Sequence, residues 1–65
     1  MNIQSAIFFG TKILKNNFIH TAKLDTEILM AKAIGMDRKY ILLNNNKNLT
    51  SENFKFFKKS KYICC

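Results

Sequence analysis

Proline and tryptophan are missing from this 65-residue chain, and glycine occurs only at Gly10 and Gly35. So few turn residues exclude a sandwich or barrel, whose many short strands need Gly- and Pro-rich connections. Long apolar runs are missing too. The runs at 6–9 and 28–31 are four residues each, well short of the ~20 that span a bilayer. No secretory signal is legible, because the first basic residue is Lys12 and no run of about 7–15 apolar residues follows a basic start. Length sets the last exclusion. A single βαβ unit takes ~30 residues or more, so a self-contained enzyme on a nucleotide fold does not fit. What is present is a 48% apolar composition, enough for a core, and the pattern predicts an all-α protein, a small bundle of about four helices. Such a short chain buries only about 60% of its unfolded surface, which predicts marginal stability.

Acidic residues are scarce. Four Asp/Glu stand against eleven Lys/Arg, a formal charge of +7. Residues 51–65 hold Lys55, Lys58, Lys59 and Lys61 against Glu52, a net +3, and the other fifty residues carry +4. Such a balance suits a nucleic acid, an anionic membrane or an acidic protein. Only Arg38 among the cations is Arg, whereas bidentate phosphate and guanine recognition favours Arg. Sequence-directed nucleic-acid binding is therefore disfavoured. The two cysteines, Cys64 and Cys65, are adjacent at the end of the sequence, a spacing that neither staples a fold nor matches a zinc site. This usage points to a cytoplasmic protein. His20 is the sole histidine and has no second ligand type beside it, so no metal is expected.

Apolar periodicity organises the chain. Ile3, Ala6, Ile7, Ile13 and Leu14, with Gly10 on the same stripe, predict a first helix within residues 1–17. Gly10 inside it costs about 1 kcal/mol relative to Ala and is read as a point of close helix packing. Thr21 is the expected N-cap of a helix over 22–34. Its buried stripe is expected to be Leu24, Ile28, Ala31 and Ile34, widened by Leu29. Asp25 and Glu27 lie in the first turns and Lys32 near the end, where they complement the helix dipole. Gly35 is placed to close that helix in the left-handed conformation. Asp37 is the expected cap of a short helix over 38–43, and Asn44, Asn45, Asn46, Lys47 and Asn48 read as a polar linker. Thr50 or Ser51 then caps a final helix to about residue 61, with Phe54 and Phe57 inward and Leu49 and Phe54 as a hydrophobic staple.

Catalytic chemistry has no foothold in these residues. There is no Gly-rich phosphate loop, no Ser/His/Asp set and no metal-binding spacing. Asp25 and Glu27 are two apart on a helix and point about 200° apart, so they are not a facing carboxylate pair. One of them is expected to pair with Arg38 instead. Phe8, Phe9, Phe54, Phe56 and Phe57 are interleaved with lysines as in base-stacking surfaces, but their helical spacing is better read as core. Lys55, Lys58 and Lys59 are the candidate partner contacts on an otherwise solvated helix face.

The run Thr21-Ala22-Lys23-Leu24-Asp25-Thr26-Glu27-Ile28-Leu29-Met30-Ala31, then Ile34-Gly35, Asp37-Arg38 and Tyr40-Ile41-Leu42, resembles the N-terminal helical domain of the HemK-type release factor glutamine methyltransferases. The family pattern there is a cap, Leu-Asp-(small)-Glu-x-Leu-Leu, Leu-Gly, then Arg and an aromatic before a leucine. Thr21, Leu24, Asp25, Glu27, Leu29, Gly35 and Arg38 are the positions that carry the likeness, which covers residues 3 to about 58. The resemblance implies an enzyme that moves a methyl group from S-adenosylmethionine to the glutamine of the Gly-Gly-Gln loop in peptide chain release factors. It also implies that catalysis belongs to a Rossmann-like domain with a Gly-rich loop and an Asn-Pro-Pro-Tyr motif, while the N-terminal helices help hold the release factor.

Neither of those two motifs occurs in this sequence. Residues 1–58 are therefore expected to form the N-terminal domain, with 59–65 a divergent, disordered tail where the family continues into an Arg-rich end. Cofactor binding and methyl transfer are expected to be absent from this chain by itself. A release factor is the expected partner, with a separately encoded catalytic domain as another. The alternatives from other classes are a basic helical RNA- or ribosome-associated module and a weakly folding remnant.

Overall fold

The first helix, α1 (Ile3–Asn16), begins where Asn2 accepts a hydrogen bond from the Ser5 amide at 2.8 Å. In this computed structural model, which describes residues 1–60 and 63, three further helices follow among the described residues. They are α2 (Ala22–Ile34), α3 (Arg38–Leu43) and α4 (Ser51–Lys58). The only strand-like pairing described is a single antiparallel bridge between Asn2 and Asn48. The all-α expectation holds, and α4 ends three residues earlier than its sequence suggests.

The asparagine segment is more than a linker. The Ile3 amide donates to the Lys47 carbonyl at 2.9 Å, the Gln4 amide to the Asn45 carbonyl at 2.7 Å, and the Leu49 amide to the Met1 carbonyl at 2.9 Å. The first amides of a helix have no partner within it. Here Lys47 and Asn45 take the first two and the Asn2 side chain takes the third, so residues 44–48 cap α1 from outside.

Capping also explains where the other helices start and stop. The Asp37 carboxylate accepts from the Tyr40 amide at 2.8 Å, and the Thr50 hydroxyl from the Asn53 amide at 3.0 Å. Gly35 has φ +83°, and the amides of Gly35 and Met36 both reach the Ala31 carbonyl, so Gly closes α2 as its type suggests. Thr21 departs from expectation: it stands at the cap position of α2, but its hydroxyl donates to Asp25 Oδ2 at 3.0 Å and caps no amide.

Phe18 makes the matching turn after α1. Its φ is +62° and its side chain is 91% exposed. The Phe18 amide reaches the Lys15 carbonyl and the Ile19 amide the Leu14 carbonyl, the double-bonded close of a helix that favours Gly at this position. An L-residue held in that conformation costs about 1–2 kcal/mol, and an exposed ring recovers little of it. Phe18→Gly is expected to raise stability by ~0.5–1 kcal/mol after Gly's own entropy cost, a rise in melting temperature of about 3–6 °C. An unchanged or lower melting temperature would refute this account.

Packing centres on α2, against which α1, α3 and α4 all lie. The core comprises Ile3, Ala6, Ile7, Leu14, Ala22, Met30, Ala31, Ile41, Phe57 and Ile63. Gly10 sits at its closest approach: a Cβ there would lie 2.7 Å from Phe57 Cζ and 2.8 Å from Thr26 Cγ2. The stripe expected on α2 is rotated. Leu24 and Ile28 are each 40% exposed, while Ala22, Thr26, Glu27, Met30 and Ala31 are buried. A helix with three neighbours needs a wide buried arc. Two polar residues can join it because each is satisfied: the Thr26 hydroxyl donates to the Ala22 carbonyl at 2.6 Å, and Glu27 meets Arg38. Leu29 and Ile34 are partly buried at the edge. Phe54 and Leu49 also pack at the core margin. Ile63 is buried, whereas Lys61, Tyr62, Cys64 and Cys65, named above in the tail, lie outside the described residues.

Candidate functional site: a lysine-rimmed groove between the first and last helices

The α4 sequence places Ser51, Phe54, Lys55 and Lys58 at i, i+3, i+4 and i+7, one stripe beside the buried Phe57. On α1, Phe9 and Ile13 are i, i+4 neighbours flanking the buried Gly10 row. At Gly10 the Phe57 ring packs against the α1 backbone, since a Cβ there would lie 2.7 Å from Phe57 Cζ. Beside this contact lies a groove of ≈ 590 Å³ lined by Phe9, Ile13, Ser51, Phe54, Lys55, Lys58, Lys59 and Ile63.

Its floor is apolar and its rim cationic. The Phe9 and Phe54 ring centroids are 6.2 Å apart with planes tilted by 54°, and Lys58 Nζ stands 5.3 Å from the Phe54 centroid. That is a cation–π contact at a partly exposed site, worth about 0.5–1 kcal/mol; it leaves the ammonium free to meet an anion as well. A second depression of ≈ 400 Å³, lined by Ser51, Glu52, Lys55, Phe56 and Lys59, lies on the other side of the Lys55–Lys59 row. The lysines form a ridge between the two.

The three lysines named as partner contacts from sequence thus converge on one groove. The apolar side chains beside them include Phe9, expected in the core but 39% exposed; among the described residues Phe57 is the only fully buried aromatic. The 51/54/55/58 spacing was the signal available for α4, while nothing local tied Phe9 and Ile13 to it.

The other motif positions lie outside this groove. Arg38 Nε donates to Glu27 Oε1 at 3.0 Å, with the Glu27 side chain 5% exposed and that of Arg38 49%. Asp25 is engaged by Thr21 instead. Of the two pairings open from sequence, the structure forms the one through Glu27 and ties α2 to the start of α3. Among the described residues no three of His, Cys, Asp and Glu come together as a metal site needs, and no helix is long and apolar enough to cross a membrane.

The groove brings apolar side chains, three lysines and the Ser51 hydroxyl together. The family model described as the PrmC N-terminal domain matches residues 5–60, from the first turn of α1 to just beyond α4. No curated protein and no solved structure matches the chain. A match over most of the sequence, on a four-helix frame whose Leu24-to-Arg38 motif builds the central helix and its ion pair, decides the family: the chain belongs to the PrmC N-terminal domains of the HemK/PrmC methyltransferases.

Proposed function

We propose that this chain is a substrate-holding module that docks a peptide chain release factor for S-adenosylmethionine-dependent methylation of its Gly-Gly-Gln glutamine, in cytoplasmic translation termination. The observation that carries the reading is the family match over residues 5–60. The groove rimmed by Lys55, Lys58 and Lys59 supplies a surface of the right kind, apolar at the centre and charged at the edge. Methyl transfer itself is assigned to a catalytic domain, since these residues hold neither a Gly-rich loop nor an Asn-Pro-Pro-Tyr motif and a cofactor of that type needs a sheet with a loop at a helix N-terminus.

The measurement is calorimetric titration of the chain with S-adenosylmethionine and, separately, with a release factor, each at two salt concentrations. The cofactor is expected to give no heat of binding. The release factor is expected to bind weakly, with Kd ~10–100 μM, because a small interface gives transient complexes. Cofactor binding at micromolar affinity would overturn the assignment. Tight RNA binding that falls steeply with salt, with no release-factor binding, would favour the RNA-module reading, which the lysines beside exposed aromatics also suit.

A further inference from the structure

We infer that the groove between α1 and α4 receives an amphipathic helix of a protein partner, one that presents apolar side chains to the floor and carboxylates to Lys55, Lys58 and Lys59. The inference rests on the reading above only in taking the ligand to be a protein; it adds the shape and chemistry of the segment that is held.

Three observations select this occupant. The first is charge. Among the described residues, every ionisable side chain lining the groove is a lysine, and the acid of α4, Glu52, belongs to the depression beyond the lysine ridge. A cationic rim favours a carboxylate-bearing ligand and disfavours a second copy of this chain, whose net charge is +7. The second is the floor. Phe9, Ile13, Phe54 and Ile63 supply apolar surface that a phosphodiester backbone leaves uncovered but Leu- or Met-type side chains fill. The chain's one Arg, the better phosphate ligand, is committed to Glu27 on another face. The third is backbone hydrogen bonding. Both walls are helices whose own amides and carbonyls are mostly spent internally, so an extended segment would bring backbone groups into the groove that find no partners there. A helix satisfies its own backbone and offers one apolar face, the helix-in-groove mode of recognition. The α4 wall is 8 residues long, ~12 Å at 1.5 Å per residue, so it accommodates about two turns of partner helix and two or three apolar anchors.

The test uses a synthetic peptide of about four turns with Leu at i, i+3, i+4 and i+7 and Glu flanking that face. Fluorescence anisotropy gives its affinity for the chain, and amide chemical-shift mapping gives its location. Binding is expected, with shifts at residues 9, 13, 54, 55 and 58. Replacing every Glu of the peptide with Lys, or reordering it to break the apolar face, is expected to weaken binding more than tenfold. So is the triple variant Lys55→Glu, Lys58→Glu, Lys59→Glu, and separately Phe9→Ala, with each variant's fold checked by circular dichroism. No binding of the acidic peptide, equal binding of its Lys counterpart, or shifts confined to another face would overturn the inference. The same variants titrated with a release factor separate the two claims. Release-factor binding that ignores the variants sinks the groove assignment and leaves the module's role standing. Peptide binding without release-factor binding sinks that role and leaves the groove assignment in place.

Discussion

Gly10→Val is expected to remove most of this protein's stability. A Cβ at residue 10 would lie 2.7 Å from Phe57 Cζ, 2.8 Å from Thr26 Cγ2 and 3.1 Å from Ile63 Cδ1, and all three neighbours are buried. Phe57 stands on α4 and Thr26 on α2, so a larger side chain must displace packing from both helices. Overpacking of a filled core costs about 1–3 kcal/mol, and a branched side chain at this position belongs at the top of that range. A domain of this size holds only ~3–5 kcal/mol in total, so the loss consumes most of its stability. Gly10→Ala is milder. It gains up to about 1 kcal/mol of helix propensity against a smaller clash, and a net loss of ~1 kcal/mol is expected. The check is urea denaturation of Gly10→Ala, Phe57→Leu and the double variant. If contact with the ring is the cause, shortening it relieves the Ala variant, and the double loses less than the sum of the singles. Strict additivity, or a Gly10→Ala protein more stable than the parent, would show that the approach at Gly10 is loose.

The second large effect is an asymmetric one, at the Glu27–Arg38 pair. Glu27 is the buried partner and Arg38 the half-exposed one. Arg38→Met leaves a carboxylate inside the fold with its cation gone, whereas Glu27→Gln leaves an arginine that turns to water. Breaking a fully buried pair costs about 3–5 kcal/mol; with one partner half in solvent, ~2 kcal/mol is expected for Arg38→Met and ~1 kcal/mol for Glu27→Gln. The double Glu27→Met, Arg38→Met removes both charges and is expected to cost less than Arg38→Met by itself, because apolar side chains of similar size replace a buried pair at little cost. Chemical denaturation of the singles and the double reads this directly. Equal losses at the two positions, or coupling of Arg38 to Asp25→Asn in place of Glu27, would contradict the geometry.

These two sites also separate what is local from what is not. The helix ends were legible because capping is a short-range affair: Asp37, Thr50 and Gly35 each act within a few residues of their own position. Thr21 takes the cap position of α2 as expected, but its hydroxyl donates to Asp25 and accepts from no helix amide. The buried face of α2 was legible only in part: Ala31 is buried as its place on the expected stripe suggests, while Leu24 and Ile28 are each 40% exposed. Leu24 and Ile28 are as apolar as Met30 and Ala31, so periodicity does not say which side three neighbours will cover.

The sequence by itself determined the helical class, the number and approximate bounds of the helices, the short-range caps and the family. All of these follow from turn-residue scarcity, 3.6-residue periodicity and a motif contiguous from Thr21 to Leu42. Tertiary structure decided the rest. It chose Glu27 over Asp25 for Arg38, turned the asparagine segment into a cap for α1, and joined Phe9 and Ile13 to Lys55, Lys58 and Lys59 as one groove. Each depends on contacts between residues far apart in the chain, whose positions are set by how α1 and α4 pack on α2, and no local propensity encodes that distance.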